Sequence, residues 1–519
     1  MKSCFSPFVL GGVVKKLPLV VVLPLVFALL LSCQGSEMPA ALSGSRPNII
    51  FVLTDDQGKG DLSCLGNPLL KTPHLDRLHA QSTRFTDFHV SSTCSPTRAA
   101  LMSGRFPFEV GVSHTVLQRE RLALGVVTLP EALQAAGYKT GLFGKWHLGD
   151  GPEYLPQNRG FDEVLMHGAG GVGQRRWGDF HVNSKNRYFD STLLHNDTVV
   201  KSKGFCTDVF FSAALAWIQQ QRQASEAPYF AYIALNAPHG PMIAPKSYKK
   251  RFLKLGYDDT TAGRLGMIEN IDDNVGRLMA KLSEWGALGD TLIIFMTDNG
   301  TSYPTLQRKD GTKEPAFDAG LRGAKGSPFE GGGRVPSFWS WQGRLEAGVD
   351  VDALSAHIDV YRTVCELAGA DIPESKLPPK GRSLVPLLEN PTVEWPDRKL
   401  FFHRGRWDDF WTDKTRGESR YIMAAVRTER WRLVFESGEA LTLSDIQADP
   451  GETSNLAKEH PEVVSELKQA FDAWWDSTEP FHVNEGLPDI PPEQQPMQLL
   501  YEKQMRDKGV IPEWKPGNH

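Results

Sequence analysis

Four short runs of hydrophobic residues along the chain each end in polar residues that could bind a metal or take part in catalysis. The runs are rich in β-branched and aromatic residues, which is typical of strands buried on both faces of a parallel sheet. In chain order, the runs and their polar endings are 48–53 with Asp55 and Asp56, 140–143 with Lys145 and His147, 229–235 with His239, and 291–296 with Asp298 and Asn299.

Helical patterns lie between these runs, for example over residues 129–136 and 209–221. Alternation of strands and helices predicts an α/β domain. In an open α/β sheet, ligands bind outside the carboxyl ends of the strands, so we expect the four polar endings to meet at one edge. The pattern therefore predicts a functional site at that edge.

A second, smaller unit is predicted beyond a proline-rich boundary at residues 373–396. We expect the α/β domain to span residues 46–390 and a C-terminal α+β subdomain with its tail to span 391–519. The chain after residue 481 is rich in proline and is expected to be extended. The segments that predict a small antiparallel sheet and a terminal helix are 419–427, 431–435, 440–443 and 461–475.

The N-terminus has the pattern of an export signal. Two lysines precede a hydrophobic run over residues 17–31, which is too short and too interrupted by proline for a membrane span. Residues 30–35 resemble a bacterial lipobox, which would make Cys33 a lipidated residue; cleavage without a lipid is the alternative. We interpret 1–33 as a signal peptide and 34–45 as a tether. The expected location is the periplasm or the outer membrane of a bacterium, with the lipid as the one membrane contact, or the medium after secretion.

The composition narrows the function classes. The 519 residues carry a formal net charge of −5, whereas a general nucleic-acid binder is normally basic, so no nucleic-acid partner is expected. A local cluster of positive charge can still attract an anionic substrate. Six cysteines in so long a chain are not a disulfide framework. Cys64, Cys206 and Cys365 either form one bridge or stay as free thiols.

Two of the polar endings offer four hard oxygen donors. Asp55 and Asp56 are adjacent carboxylates that repel each other at neutral pH, and a divalent cation relieves this repulsion. With Asp298 and Asn299 they form an oxygen ligand set, which suits Ca²⁺ or Mg²⁺, and Ca²⁺ tolerates the less regular geometry. Taken singly, the pairs would be a helix cap and a tight turn. Because both pairs follow strands of matching composition, we expect a metal site.

The segment from Cys94 to Arg105 predicts a helix that begins at a cysteine. Pro96 suits the first turn of a helix, and the helix-forming residues after it favour continuation. A helix N-terminus carries partial positive charge, and Arg98 lies four residues on, on the same face as Cys94. The pattern fits a nucleophile beside an anion site, and a buried structural cysteine is the alternative.

Three further segments carry positive charge or a titratable ring. Lys145 and His147 stand between glycines, although such a pair is also common as a surface lysine beside a core histidine. His239 lies between two prolines in a turn and could protonate a leaving alkoxide. Lys325 lies in a glycine-rich loop over residues 322–332, which would let the backbone approach an anion.

These motifs together resemble the sulfatase family of the alkaline-phosphatase-like superfamily. The resemblance rests on C-x-P-x-R with a following Gly-Arg, on G-K-W-H-L-G, and on G-x-K-G-x-x-x-E-G-G, in this order along the chain. It implies a large mixed, mostly parallel sheet flanked by helices, and a small C-terminal antiparallel sheet with a helix. It also implies that a formylglycine-generating enzyme converts Cys94 to formylglycine, whose hydrate attacks sulfur.

The resemblance assigns a role to each motif residue. The expected activity is hydrolysis of sulfate monoesters, from sulfated carbohydrates in view of the export signal. The implied catalytic residues are Cys94, Arg98 (which neutralises charge and fixes residue 94), Lys145 and Lys325 (sulfate ligands), His147 (hydrogen-bonded to the hydrate) and His239 (proton donor). The implied metal ligands, with Ca²⁺ favoured over Mg²⁺, are Asp55, Asp56, Cys94, Asp298 and Asn299.

Two rival functions remain at this point: a phosphonate monoester or phosphodiester hydrolase of the same superfamily, and a lipoprotein that binds sulfated glycans through an unmodified site. Among the other histidines, His114 could border the pocket. Residues 175–177, Arg-Arg-Trp, could either grip an anionic sugar or form a solvated loop. Three other histidines are interpreted as structural or surface residues: His74, His79 and His89.

Overall fold

The computed structural model of the protein describes residues 41–116, 118–180, 187–407, 412–438 and 440–517. The expected signal peptide, Cys33 and the tether up to residue 40 lie outside the described residues. Among the helices in the described ranges, none combines the length and the hydrophobicity needed to cross a membrane.

The strands of the described residues form one large sheet, one small sheet and two short pairs. In chain order they are β1 (Asn48–Thr54), β2 (Thr83–Phe85), β3 (Phe88–His89), β4 (Lys139–Lys145), β5 (Glu163–His167), β6 (Thr192–His195), β7 (Thr198–Lys201), β8 (Tyr229–Ala234), β9 (Thr291–Thr297), β10 (Thr305–Gln307), β11 (Lys313–Pro315), β12 (Ser337–Ser340), β13 (Val349–Val351), β14 (Ser355–Ala356), β15 (Leu400–His403), β16 (Ile422–Arg427), β17 (Trp431–Ser437) and β18 (Ala440–Asp445).

The helices pack on both faces of the large sheet and against the small one. In chain order they are α1 (Pro73–Ala80), α2 (Cys94–Ser103), α3 (Leu129–Ala135), α4 (Cys206–Ala224), α5 (Lys246–Lys254), α6 (Asp259–Glu284), α7 (Glu330–Gly333), α8 (Asp359–Ala368), α9 (Val385–Glu389), α10 (Asp413–Ser419), α11 (Pro461–Thr478) and α12 (Pro496–Lys508).

Within the described residues, the large sheet has ten strands in the order β13-β2-β12-β9-β1-β8-β4-β5-β6-β7. Its centre, from β9 to β5, is parallel, and antiparallel pairs flank the centre on both sides. Val52 of β1 is level with Ile233 of β8 and Phe295 of β9. The four predicted runs are therefore neighbours in the centre of a mixed, mostly parallel sheet, and their carboxyl ends meet at one edge.

The central strands carry buried hydrophobic residues on both faces, because both faces of the sheet are covered. Along β1, Ile49, Phe51 and Leu53 pack into the core on one face. Ile50 and Val52 pack into the core on the other. Full burial of such a side chain contributes about 1.5–3 kcal/mol, so these strands form the rigid platform of the site.

The second sheet is antiparallel, in the order β15-β16-β17-β18, and α11 packs on it through Phe471 and Trp475. Its last three strands and α11 lie where the sequence predicts them, whereas β15 was not predicted. The expectation of an extended tail is wrong over α12, where Pro496 takes an early helical position. Met497 of this helix is buried in the main core.

A buried ion-pair network joins the two sheets. Glu330 of α7 accepts from Arg432 of β17 at 2.8 Å and from Arg427 of β16 at 3.3 Å. Arg427 also lies 3.0 Å from Asp87. All four side chains are buried, so each charge depends on its partners.

The first described residues differ from the tether expected over 34–45. Leu42 is buried in the main core. The backbone N–H of Gly44 donates to the carbonyl of Glu366 at 2.8 Å, and that of Arg46 donates to Leu367 at 2.9 Å. Residues 41–45 therefore pack against α8. Leu42 stabilises this arrangement because its side chain adds hydrophobic area to the core.

Candidate active site

The cysteine of the predicted nucleophile helix lies at the first position of α2, after an extended Thr93. All ten residues of α2 are buried, and Cys94 is 2% exposed. The helix ends at Gly104, which adopts the left-handed conformation with φ 65°. The N-terminus of α2 therefore points its free N–H groups into the protein at residue 94, as the sequence predicts.

The carboxyl ends of β1 and β9 bring the four predicted oxygen ligands together beside this helix. The backbone N–H of Asp56 donates to Oδ1 of Asp298 at 3.1 Å, and Nδ2 of Asn299 donates to Oδ1 of Asp56 at 2.9 Å. Carboxylate oxygens of Asp55 and Asp298 and Sγ of Cys94 all lie within 4.8 Å of one another. These five residues are buried.

This donor set fits a divalent cation. Oδ1 of Asp55 and Oδ1 of Asn299 are buried and have no hydrogen-bond partner among the described residues, which is costly unless a ligand satisfies them. Burial raises the pKa of Asp55 to about 7, although Lys145 opposes the change. Burial and the charge of Asp55 likewise raise the pKa of Asp298 to about 7. A bound cation would satisfy the oxygens and keep both carboxyl groups ionised.

Two lysines complete the charge balance around residue 94. Nζ of Lys145 lies 2.6 Å from Oδ2 of Asp55, and Nζ of Lys325 lies 2.6 Å from Oδ1 of Asp56. Burial alone would raise the pKa of Asp56, but the charges of Lys325 and His239, with the hydrogen bonds from Asn299 and Lys325, together outweigh burial and hold that pKa well below its usual range. Burial of the Cys94 thiol is also outweighed by the two lysines, which lower its pKa.

Arg98 binds the end of the sheet. Its Nε and Nη2 donate to Oδ2 of Asp298 at 3.2 and 2.9 Å. Its Nη1 donates to the carbonyl of Lys145 at 2.9 Å, and Nη2 donates to that of Leu235 at 3.2 Å. The guanidinium thus fixes the carboxylate of Asp298 and ties three strand ends together, while its predicted action on residue 94 and on sulfate stays a prediction.

The hydrogen bond of His147 fixes its tautomer. Nε2 lies 2.8 Å from the carbonyl of Thr115, so this nitrogen carries the hydrogen and donates it. Burial, with the nearby charge of Lys145, lowers the pKa of His147 well below its usual value, and the ring is neutral. Nδ1 is therefore a buried acceptor, without a partner among the described residues.

His239 is held in a similar way by its own loop. Its Nδ1 donates to the carbonyl of Gly240 at 2.8 Å, and Nε2 lies 3.8 Å from Oδ2 of Asp56. Burial lowers the pKa of His239, and the charge of Asp56 opposes this shift. Nε2 is thus the nitrogen turned toward the carboxylates.

An uncommon backbone conformation orients the side chains of Asp56 and His147. Asp56 and His147 adopt positive φ values of 64° and 61°, which are uncommon for residues with a Cβ and occur at functional sites. Gly144, with φ 122°, lies so close to β8 that a Cβ there would be 1.9 Å from the carbonyl oxygen of Ala234. Only glycine allows β4 to deliver Lys145 at this point.

Tyr188 is a positioning residue that the sequence did not reveal. Its Oη lies 2.8 Å from the carbonyl of His239 and 2.9 Å from that of Gly240, so the hydroxyl anchors the loop that carries this histidine. A tyrosine far from any motif gives no signal of such a role.

The glycine-rich loop over residues 168–173 covers the two histidines. A Cβ on Gly170 would lie 2.8 Å from Cε1 of His147, so the loop touches this ring. In residues 175–177 beyond it, both arginines are exposed and Arg176 stacks on Trp177 at 4.5 Å. A grip on an anionic sugar by this segment stays a prediction.

The other candidate residues take structural or peripheral places. His74 and His79 lie on α1, and His89 is buried beside Asp87, Nε2 to Oδ1 2.9 Å. Nδ1 of His114 accepts from the backbone N–H of Thr115 at 2.7 Å, next to the partner of His147. The thiols that the sequence left open between a bridge and free cysteines are all free: Cys64, Cys206 and Cys365.

The assembled site can stabilise a tetrahedral oxyanion ester. Positive charge comes from Lys145, Lys325 and the N-terminus of α2, and a cation at the carboxylates would add to it. His147 offers a proton acceptor and His239 a second ring nitrogen on the same edge. Preorganised charge of this kind is the largest contribution to catalysis of such transfers.

Two family models match the chain. The model described as Sulfatase matches residues 47–370, and the model described as N-sulphoglucosamine sulphohydrolase, C-terminal, matches 325–475. The two matches overlap at the loop of Lys325 and together span both sheets.

Named relatives and solved structures agree with these models. Arylsulfatase A of Homo sapiens is 33% identical over 83% of this chain and 88% of its own length. N-acetylgalactosamine-6-sulfatase of Mus musculus is 29% identical over 83% of this chain and 85% of its own. The crystal structure of Ps i-CgsB in complex with k-i-k-neocarrahexaose is 26% identical and superposes with a TM-score of 0.72, covering 89% of this chain and 99% of that one.

The family model spans more than half of the chain, and arylsulfatase A resembles it over most of both lengths. Members of this family use a formylglycine and a divalent metal. The chain therefore belongs to the sulfatase family, with the alkaline-phosphatase-like fold, and is a sulfuric ester hydrolase.

Proposed function

We propose that this protein releases inorganic sulfate from sulfated carbohydrates, using a formylglycine made from Cys94 and a Ca²⁺ ion. The observation that carries the proposal is the convergence of Lys145 and Lys325 on the carboxylates beside Cys94, at the N-terminus of a buried helix. Two relatives support the substrate class: one is named for a sulfated sugar, and one was solved with a neocarrahexaose.

The modification at residue 94 requires a formylglycine-generating enzyme as a partner. When present, the hydrated aldehyde supplies one hydroxyl that attacks sulfur and a second through which sulfate is later eliminated. A serine at this position would lack the second hydroxyl and would end as a stable sulfate ester.

The residues of the chain bind the sulfate and move its protons. Lys145 and Lys325 hold the peripheral sulfate oxygens and offset their charge. Nδ1 of His147, which has a free lone pair, accepts a proton from a hydroxyl of residue 94. His239 acts in its protonated form, whose charge Asp56 stabilises from 3.8 Å. Its Nε2 donates the proton to the leaving sugar oxygen, which leaves the neutral ring with Nδ1 still bound to Gly240.

The proposed metal ligands are the oxygens of Asp55, Asp56, Asp298 and Asn299, with residue 94 as the fifth. The unpartnered oxygens of Asp55 and Asn299 support a cation at this place. Oxygen-only ligation with irregular geometry favours Ca²⁺ over Mg²⁺. Bound there, the ion would supply a Lewis acid for one sulfate oxygen.

We also propose that the protein is exported and anchored by a lipid at Cys33. The hydrophobic run and the lipobox-like residues 30–35 support this location. A Cys33→Ser variant, expressed in a bacterial host, should move from the membrane fraction to the soluble periplasmic fraction or the medium. An unchanged distribution would contradict the lipid anchor.

The central experiment compares ester classes with protein from a host that makes formylglycine. Sulfate release from defined sulfated oligosaccharides is measured beside hydrolysis of a phosphonate monoester and a phosphodiester, with Cys94→Ser as the inactive control. Mass spectrometry of the Cys94 peptide should show loss of sulfur and two hydrogens and gain of one oxygen. A higher kcat/KM on the phosphorus esters, or an unmodified thiol in active protein, would overturn the proposal.

A further inference from the structure

Two arginines that follow the first strand of the second sheet lie beside two loops of the site. Arg404 and Arg406 lie in the loop after β15. Cδ of Arg404 lies 3.4 Å from the position of a Cβ on Gly326, the residue after Lys325. This contact places Arg404 directly beside the loop that carries one of the proposed sulfate ligands.

Arg406 is connected to the other side of the site. Its Nη2 donates to Oγ1 of Thr115 at 3.0 Å, and the carbonyl of Thr115 accepts from His147 at 2.8 Å. The backbone N–H of Arg406 donates to the carbonyl of Ser113 at 3.3 Å. Thr115 thus connects Arg406 to His147, a proposed catalytic histidine.

Neither guanidinium has an acidic partner among the described residues. Arg427 and Arg432 of the same sheet are neutralised by Glu330, whereas no carboxylate of the described residues lies within ion-pair distance of Arg404 or Arg406. Arg404 is half-buried, and its Nε is buried without a hydrogen-bond partner in the described part of the chain. Burial and the nearby charge of Arg406 lower the pKa of Arg404. Two neighbouring guanidinium groups without a carboxylate partner in the described part of the chain favour a bound anion.

The histidine beside the pair is uncharged, and the nearby Arg119 is paired with Glu485 at 3.5 Å. His114 faces Arg119, Arg404, Arg406 and His147, and burial together with the charge of Arg119 lowers the pKa of its ring to about 3. It is therefore neutral and adds no positive charge that would repel the arginines.

A cavity of about 290 Å³ opens beside the two arginines. Among the described residues, Glu418 is the acidic one that lines it, and this carboxylate lies 3.7 Å from Lys414. The volume is at the small end of ligand pockets, enough for a charged substituent of a sugar.

We propose that Arg404 and Arg406 bind a second anionic group of the substrate, so that the preferred substrate carries a carboxylate or a further sulfate near the sulfate that is removed. This rests on the proposed function, because the site of cleavage is that of Cys94. Guanidinium groups bind both carboxylate and sulfate in a bidentate manner, and the experiment separates these two anions.

The test uses the Arg404→Gln, Arg406→Gln and double variants of the full chain carrying formylglycine. Each is assayed on an aryl sulfate with a single charge, on a disulfated disaccharide, and on a monosulfated disaccharide with a neighbouring uronic acid. For the double variant, KM on at least one doubly charged sugar should rise about tenfold to a hundredfold, with kcat and the aryl sulfate reaction changed less than about twofold. The sugar that shows the effect identifies the second anion.

Two control variants separate binding from general effects. Arg77→Gln removes the same charge from an exposed position on α1, and it should leave KM unchanged on all three substrates. Arg404→Lys keeps the charge and should retain part of the preference for the doubly charged sugars. Wild-type activity on the aryl sulfate shows that the proposed function holds; if the double variant then changes all three substrates equally, or none, the second anion site is overturned.

Discussion

Nζ of Lys325 and Oδ1 of Asp56 lie 2.6 Å apart and join a glycine-rich loop after β11 to the end of β1. Burial alone would lower the pKa of this lysine, but Asp56, Cys94 and Asp55 together outweigh burial and raise it, so the lysine stays protonated. The pair thus fixes a positive charge in the position where the substrate needs one.

Replacing Lys325 by alanine should lower kcat/KM on sulfate esters by about 10²–10³-fold, the cost of one preorganised oxyanion contact. Lys325→Arg should recover part of the loss, and Lys313→Ala on exposed β11 should have no effect. The metal content of Lys325→Ala is measured in parallel; a loss of metal that accounts for the whole defect would contradict a direct role in sulfate binding.

Removal of the metal should destabilise the fold as well as abolish activity. Without a cation, the carboxylates of Asp55, Asp56 and Asp298 are buried close together. At Ca²⁺ about a hundredfold above Kd, ligand binding adds about 3 kcal/mol to the free energy of unfolding. Urea titration after treatment with a chelator should show a lower free energy of unfolding. Ca²⁺ should restore the lost stability at a lower concentration than Mg²⁺. Equal restoration by both ions would contradict the preference for Ca²⁺.

Tyr188→Phe should lower kcat about tenfold on sugar sulfates, because the loop of His239 loses its anchor. The loss should shrink on aryl sulfates with acidic leaving groups, which need no proton from His239. The matched control is Tyr229→Phe, a buried tyrosine at the opposite end of β8. An equal loss on both ester types would indicate a general structural defect.

Acid should lower the free energy of unfolding through protonation of Glu330. Burial of this carboxyl is outweighed by the charges of His89, Arg427 and Arg432, which lower its pKa to about 2. Because the folded pKa lies below the ordinary value, this contribution is present above about pH 4.5 and is lost as the pH falls toward 2. Urea titrations from about pH 6 to about pH 3 should record the fall in the free energy of unfolding.

Glu330→Gln should remove about 3 kcal/mol of unfolding free energy near neutral pH, since two buried arginines lose their partner. Its stability should also depend less steeply on pH than that of the wild type. Glu284→Gln, at an exposed position of α6, is the control for loss of a carboxylate. Parallel pH profiles of Glu330→Gln and the wild type would contradict the assignment.

The four strand ends could be predicted because continuous hydrophobic runs have few structural solutions and parallel strands share one edge. The sequence could not reveal partners formed across the fold, such as Tyr188 with the loop of His239. Strand β15 was missed because its four residues are too few for a period to emerge. Arg404 and Arg406, which follow β15, look like ordinary surface arginines in the sequence. Only the packing of the second sheet places them beside the loops of Lys325 and Thr115.

The network around Glu330 bears on how new specificities could arise in this chain. Arg432 donates to the carbonyl of Pro328 at 2.9 Å, three residues from Lys325, so the second sheet holds the loop that carries a sulfate ligand. A C-terminal half borrowed from a relative would bring its own arginines to the entrance. Unless Asp87 and Glu330 found matching partners in that half, the exchange would also loosen Lys325. Exchange of the C-terminal half between relatives should therefore succeed when the combined chain keeps all four network residues, Asp87, Glu330, Arg427 and Arg432.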